Sequence, residues 1–143
     1  MQTPGLIEKY IANNFFGNLL GMDFKIVSEG TVEYFLTIRQ EHLATPHASH
    51  GGVIAALVDA ALGVAGLSAV YKENKVVSTV EYKLNFLSPA LLNDQLVAKA
   101  KVEQQGKRLL IISCDVVCIN RKNKMIAKAL GTFNAYDAGK AGY

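Results

Sequence analysis

Val53–Val70 reads VIAALVDAALGVAGLSAV, and directly before it stands His50-Gly51-Gly52. Asp59 is the only ionisable residue in that apolar run. Its length predicts one long helix from about Gly51 to Tyr71, apolar nearly all round. Such a helix is either the buried centre of a soluble fold or a membrane span. A span takes about 20 apolar residues, so length alone allows one. The central Asp59, the lack of a basic flank on either side and the alternating segments downstream favour a buried helix with no membrane span. Burying an unpaired carboxylate is costly, so Asp59 is paired, protonated or kept for chemistry.

Outward from this helix the pattern has a period of two. Thr31–Arg39 carries Val32, Tyr34, Leu36 and Ile38 between mostly polar neighbours, which predicts a strand. Met22–Ser28 precedes it and ends at the turn signal Glu29-Gly30. Leu6–Leu19 reads as one short helix. After Lys72-Glu73-Asn74, strands are expected over Lys75–Leu87, Leu96–Glu103, Leu109–Ile119 and Lys124–Tyr136. Their last two turns, at Gln105-Gly106-Lys107 and Asn120–Asn123, are short enough for an antiparallel meander. The order is helix, two strands, long helix, four strands. An α+β fold follows, with one curved antiparallel sheet wrapped around the central helix as the economical way to bury both apolar surfaces. Gly63, Gly66 and the alanines would let the sheet come close. No linker or repeat divides the chain, so residues 1–143 read as one domain whose tail, 137–143, is flexible.

Composition narrows the function classes. The chain has 143 residues, half of them hydrophobic, which suits one folded domain. A net charge of +3 spread along the sequence, without a basic patch interleaved with aromatics, argues against nucleic acid. The first residues lack the basic flank and apolar run of a signal peptide, which points to a cytoplasmic chain. Cys114 and Cys118 lie on one face of an apolar strand and read as small core residues. His42, His47 and His50 are the only histidines, and no carboxylate or cysteine has matching spacing, so no metal site is expected.

His50-Gly51-Gly52, four residues, then Leu57-Val58-Asp59 on an apolar helix resembles the signature of the PaaI-type acyl-CoA thioesterases. Phe86-Leu87-Ser88-Pro89-Ala90 and the Gln105-Gly106-Lys107 turn lie where that family carries similar segments. The resemblance runs from about Met22 to Tyr136 and implies the hotdog fold. It also implies hydrolysis of an acyl-CoA thioester without a cofactor. By that resemblance Asp59 is nucleophile or general base, the Gly51 N–H polarises the carbonyl, and His50 shapes the turn. Thr79 would orient the attacking water, with Ser78 as the alternative; strand parity sets Thr79 on a face with Glu81, Lys83 and Asn85. Ala44 departs from the pattern, because many family members carry an asparagine there; Thr45 or His47 could supply a polar group.

The chemistry has a physical basis of its own. Acyl transfer needs a group that attacks or activates and donors aimed at the developing oxyanion. A helix opening at Gly51-Gly52 offers unpaired N–H groups and the positive end of its dipole. Yet Gly51 and Asp59 are eight residues apart, about 12 Å along a helix. They reach one carbonyl only if two chains each supply one of them, which calls for a homodimer or a dimer of dimers. Lys107 and Arg108, and also Arg121, Lys122 and Lys124, are candidates to meet coenzyme A phosphates, although turn charges are commonly just solvated. A hotdog hydratase or dehydratase and a non-catalytic acyl-CoA-binding module are the competing readings.

Overall fold

Val32, Tyr34 and Leu36 are buried while Thr31, Glu33 and Phe35 are less so, the signature of a strand with one face on a core. In the computed structural model, which describes residues 5–143, these residues form β2 (Thr31–Thr37). It pairs with β1 (Asp23–Ser28) on one side and β4 (Gln95–Gln105) on the other. Then β4, β5 (Leu109–Cys118) and β6 (Lys124–Asp137) follow as the expected meander, and β3 (Lys75–Phe86) closes the far edge. All pairs are antiparallel, in the order β1-β2-β4-β5-β6-β3.

The long apolar helix spans Gly51–Val70 and contacts all six strands. Six strands spaced about 4.8 Å apart are roughly 24 Å wide. A helix with its side chains is only about 10 Å across, so the sheet has to curve around it. Eleven of the twenty helical residues are buried, which is where its apolarity is spent. This is the one helix among the described residues that is long and apolar enough to cross a membrane, and here it is the core. The close approach expected of its small residues is real at Gly66, where a Cβ would lie 3.1 Å from Ile112 and 3.4 Å from Val77. At Gly63 a Cβ would find ordinary contact, 3.6 Å from Phe133. Ser68, buried in the helix, donates to the Ala65 carbonyl and accepts from the Gly30 N–H, so the β1–β2 turn is tied to the core.

Two terminal segments differ from expectation. The single helix read over Leu6–Leu19 is two, Gly5–Asn13 (α1) and Phe15–Leu20 (α2), with the long core helix third (α3). The break is at Asn14, whose Oδ1 accepts from the Gly17 N–H and whose Nδ2 donates to the Tyr34 hydroxyl. An asparagine side chain competes with helical hydrogen bonding in this way and starts a new helix instead. The tail, expected to be flexible, turns in a 3-10 helix over Ala138–Ala141 with Ala138 buried. Tyr143 packs against the satellite cluster of Ile7, Leu67, Tyr71 and Val76. Cys114 and Cys118 are both buried and unbridged, and burial pushes the Cys114 thiol up to about 12.

Candidate active site

His50 caps α3. Its backbone is extended, and its Nδ1 accepts from the Gly52 N–H at 2.7 Å while its carbonyl accepts from the Val53 N–H. The two glycine amides are therefore unequal. Gly52, expected to share in substrate binding, has its N–H committed to His50, whereas the Gly51 N–H meets no acceptor among the described residues. A Cβ at Gly52 would lie 2.8 Å from the His50 Nδ1, so that glycine makes room for the cap. At Gly51 a Cβ would lie 3.5 Å from the Phe86 ring, an ordinary contact. The fold does not require a glycine there; an open approach to the amide would. A cleft of about 220 Å³ faces it, lined by Ser49, Ile54 and the segment Phe86–Ala90.

Asp59 lies two turns further along α3, partly exposed. The Thr79 hydroxyl donates to its Oδ1 at 2.7 Å, and no group among the described residues donates to Oδ2. Of the two hydroxyls weighed from sequence, Thr79 is the one on Asp59; Ser78 borders the same cleft without that bond. The parity given for Thr79 is nevertheless wrong. The β3–β6 register slips between Thr79 and Glu81, so Val80 and Glu81 together oppose Thr132. This β-bulge resets the alternation. Thr79 and Tyr82 both face α3, and Tyr82 donates to the Ala55 carbonyl at 3.1 Å. Glu81, Lys83 and Asn85 face the other way, with Lys83 and Asn85 on the outer face of the sheet beside Lys128.

A cleft of about 330 Å³ opens beside Asp59, walled by Tyr10, Gly63, Phe133, Tyr136 and Tyr143. Burial and, beyond that, Tyr34 push the Tyr10 phenol well above its ordinary range, and the charge of Asp59 adds to the rise. Tyr82 is raised too, by burial first and then by Asp59. Both phenols stay protonated as donors. Sequence reading did not find Tyr10 or Tyr143, since they come from opposite ends of the chain.

The remaining candidates lie elsewhere. His47 is exposed and borders neither cleft; its carbonyl accepts from the Leu92 N–H. Ala44 and Thr45 belong to the same loop, where the Thr45 hydroxyl accepts from the Ala48 N–H. His42 is buried, with Nδ1 accepting from the Arg39 N–H and Nε2 against the Leu20 carbonyl. The three histidines thus do not converge, and no group of three metal-ligating side chains occurs among the described residues. Lys107 and Arg108 are exposed in the β4–β5 turn, where the Arg108 carbonyl accepts from the Ala135 N–H, and neither lines the Gly51 cleft or the Asp59 cleft. Arg121 is not a free cation for a phosphate, because its Nε and Nη2 donate to the Asp94 carboxylate and Nη2 also donates to the Pro89 carbonyl.

Several known proteins are similar to this chain. A protein of Archaeoglobus fulgidus named for esterase activity is 30% identical over 106 residues, 74% of this chain and 65% of its own length. The acyl-coenzyme A thioesterase PaaI of Escherichia coli is 29% identical over 119 residues, 80% of this chain and 78% of that protein. The solved structure of E. coli PaaI, from the phenylacetic acid degradation operon, matches with a TM-score of 0.83 at 24% identity, over 91% of this chain and 90% of that one. Residues 48–123, from just ahead of the His50 cap through β5, match the family model of the thioesterase superfamily. With its six-stranded antiparallel sheet around one apolar helix, the chain is a hotdog-fold member of the thioesterase superfamily.

Proposed function

We propose that the protein hydrolyses acyl-coenzyme A thioesters to the free acid and coenzyme A. The observation that carries this reading is a carboxylate on the core helix with one oxygen fixed by Thr79 and the other open to a cleft. Asp59 acts as nucleophile or as general base toward water. As general base, Asp59 takes a proton from water while the water oxygen bonds to the acyl carbon; the carbon–sulfur bond breaks and that proton passes to the thiolate. As nucleophile, its carboxylate displaces the thiolate to form a mixed anhydride. Water then cleaves the anhydride to the free acid and restored Asp59, the thiolate taking up the water's proton. Charge builds on the carbonyl oxygen meanwhile, and the open Gly51 N–H at the positive end of α3 is the donor suited to it. The E. coli relative's name supports acyl-CoA as the substrate class.

One chain cannot do this alone, because Asp59 and Gly51 are about 12 Å apart along α3. A homodimer in which the partner's α3 lies alongside would bring one chain's Gly51 to the other's Asp59. Strand β3 supports that arrangement. It is an unpaired edge of twelve residues with Val80 and Phe86 each 56% exposed, and such edges invite pairing.

Thiol release measured across aryl, short-chain and long-chain acyl-CoA tests the reaction. Turnover of at least one class is expected; acyl-CoA binding with no turnover anywhere would make the protein a binding module. Gly51→Ala separates the amide's role from the fold. Stability is expected to change by less than about 0.5 kcal/mol in a thermal melt, because an added methyl meets only ordinary contacts. Its kcat/KM is expected to fall about tenfold or more, because the methyl crowds the approach to the N–H.

A further inference from the structure

The turn that presents Gly51 is held from outside α3. His47 and Ser49, just ahead of the cap, are bonded to a second loop: the Ser49 N–H donates to the Ala90 carbonyl at 2.8 Å and the Leu92 N–H to the His47 carbonyl at 3.1 Å. Ala48 and Leu91 also form an isolated antiparallel bridge. The same loop supplies Pro89 and Ala90 to the wall of the Gly51 cleft. What fixes this loop is one buried carboxylate and one guanidinium. Asp94 is 4% exposed, and its Oδ2 accepts from the Leu91 N–H at 2.7 Å. Arg121, from the turn between β5 and β6, donates through Nε to Oδ1 at 3.0 Å and through Nη2 to Oδ2 at 2.6 Å. The same Nη2 donates to the Pro89 carbonyl at 3.0 Å.

We propose that Arg121 and Asp94 are positioning residues that set the location of the Gly51 amide by clamping the loop on which its turn is hung. This rests on the thioester hydrolysis proposed above. The clamp is well suited to holding position. A bidentate guanidinium–carboxylate pair fixes direction as well as distance, and the third bond carries that constraint to Pro89, at the cleft itself. Burial alone would push the Asp94 carboxyl up, but Arg121 and the Leu91 N–H together hold it below its ordinary value. It therefore stays ionised at neutral pH. Arg121 comes from a surface turn and its side chain is 28% exposed, but its loss leaves the buried Asp94 carboxylate without its main partner, so stability is read beside rate. An oxyanion donor works only within a few tenths of an ångström of its optimum, so a small loop shift costs rate before it costs stability.

The test is Arg121→Ala beside Arg121→Lys, assayed on the acyl-CoA that the wild type turns over best, at a temperature where circular dichroism shows all proteins folded. Lys128→Ala serves as control, since Lys128 makes an exposed ion pair with Asp115 on the outer sheet face and touches neither cleft. For Arg121→Ala we expect kcat to fall about tenfold with KM within about twofold, and added millimolar guanidinium to restore part of kcat. Arg121→Lys, which keeps the charge but cannot span Asp94 and Pro89 together, is expected to lie between alanine and wild type. The control keeps wild-type kcat. Unchanged kcat in either folded Arg121 variant, or a rise in KM at constant kcat, overturns the proposal. So does a loss of kcat matched only by the unfolded fraction and insensitive to guanidinium. Should Arg121→Ala not fold, the lysine variant decides on the same readouts. A wild type that turns over no acyl-CoA overturns the thioesterase reading itself, a different outcome from active variants, which overturn only the clamp.

Discussion

Asp59→Asn is expected to lower kcat for acyl-CoA hydrolysis by about a thousandfold while acyl-CoA still binds, since a positioned carboxylate contributes on this order as a general base and more as a nucleophile. The swap is nearly isosteric. The amide oxygen of asparagine can still accept the Thr79 hydroxyl, so the strand-to-helix contact at 2.7 Å survives. What disappears is the lone pair basic enough to take a proton or attack a carbonyl. A second readout is independent of substrate. The negative charge of Asp59 adds to the rise that burial causes in the Tyr82 phenol. Removing that charge moves the Tyr82 titration down, which ultraviolet titration of wild type and variant would show. Hydrolysis retained within a few-fold in Asp59→Asn would remove this residue from the chemistry.

Gly131→Ala is expected to cost about 1–3 kcal/mol of stability, the range for forced overpacking, and to lower kcat as well. Gly131 stands opposite Tyr82, beside the bulge. A Cβ there would lie 2.8 Å from the Tyr82 Cβ, 3.0 Å from the Glu81 carbonyl oxygen and 3.1 Å from Leu62. The first two are backbone or next to it and cannot swing away. Strands β3 and β6 must separate locally, and Thr79 and Tyr82 move with β3, off Asp59 and off the Ala55 carbonyl. A melt several degrees lower, with kcat reduced in the folded protein, is the expected pair of results. An unchanged melt would show that the bulge has slack.

The central helix and its cap were plain in the sequence because each has a local cause. An unbroken apolar run with a single carboxylate leaves little alternative to a helix inside a sheet, and histidine followed by two glycines marks its start. The strand at Thr31–Arg39 was as plain, since its alternation is uninterrupted. The bulge was not legible. Counting by twos along Lys75–Leu87 has no means of seeing that Val80 is unpaired, and its companion signal, Gly131, lies on another strand. Thr79 was found in spite of that count. The aromatic wall beside Asp59 was hidden for a related reason: Tyr10 and Tyr143 meet only through the tertiary fold. Arg121 was misjudged because a charge in a turn looks solvated until its partner is known. Asp94 carried no signal of its own in the sequence, because its burial and its pairing with Arg121 arise only in the fold.

In the proposed dimer each active site takes Asp59 from one chain and Gly51 from the other. Subunit mixing separates the two contributions. Asp59→Asn and Gly51→Val are each expected to be inactive alone, because every site in either homodimer lacks one component. Refolded together at equal concentration, about half of the dimers are mixed, and each mixed dimer has one intact site, so about a quarter of wild-type activity should return. A mixture that forms mixed dimers, shown by differently tagged chains, yet stays as inactive as its components would contradict the shared site.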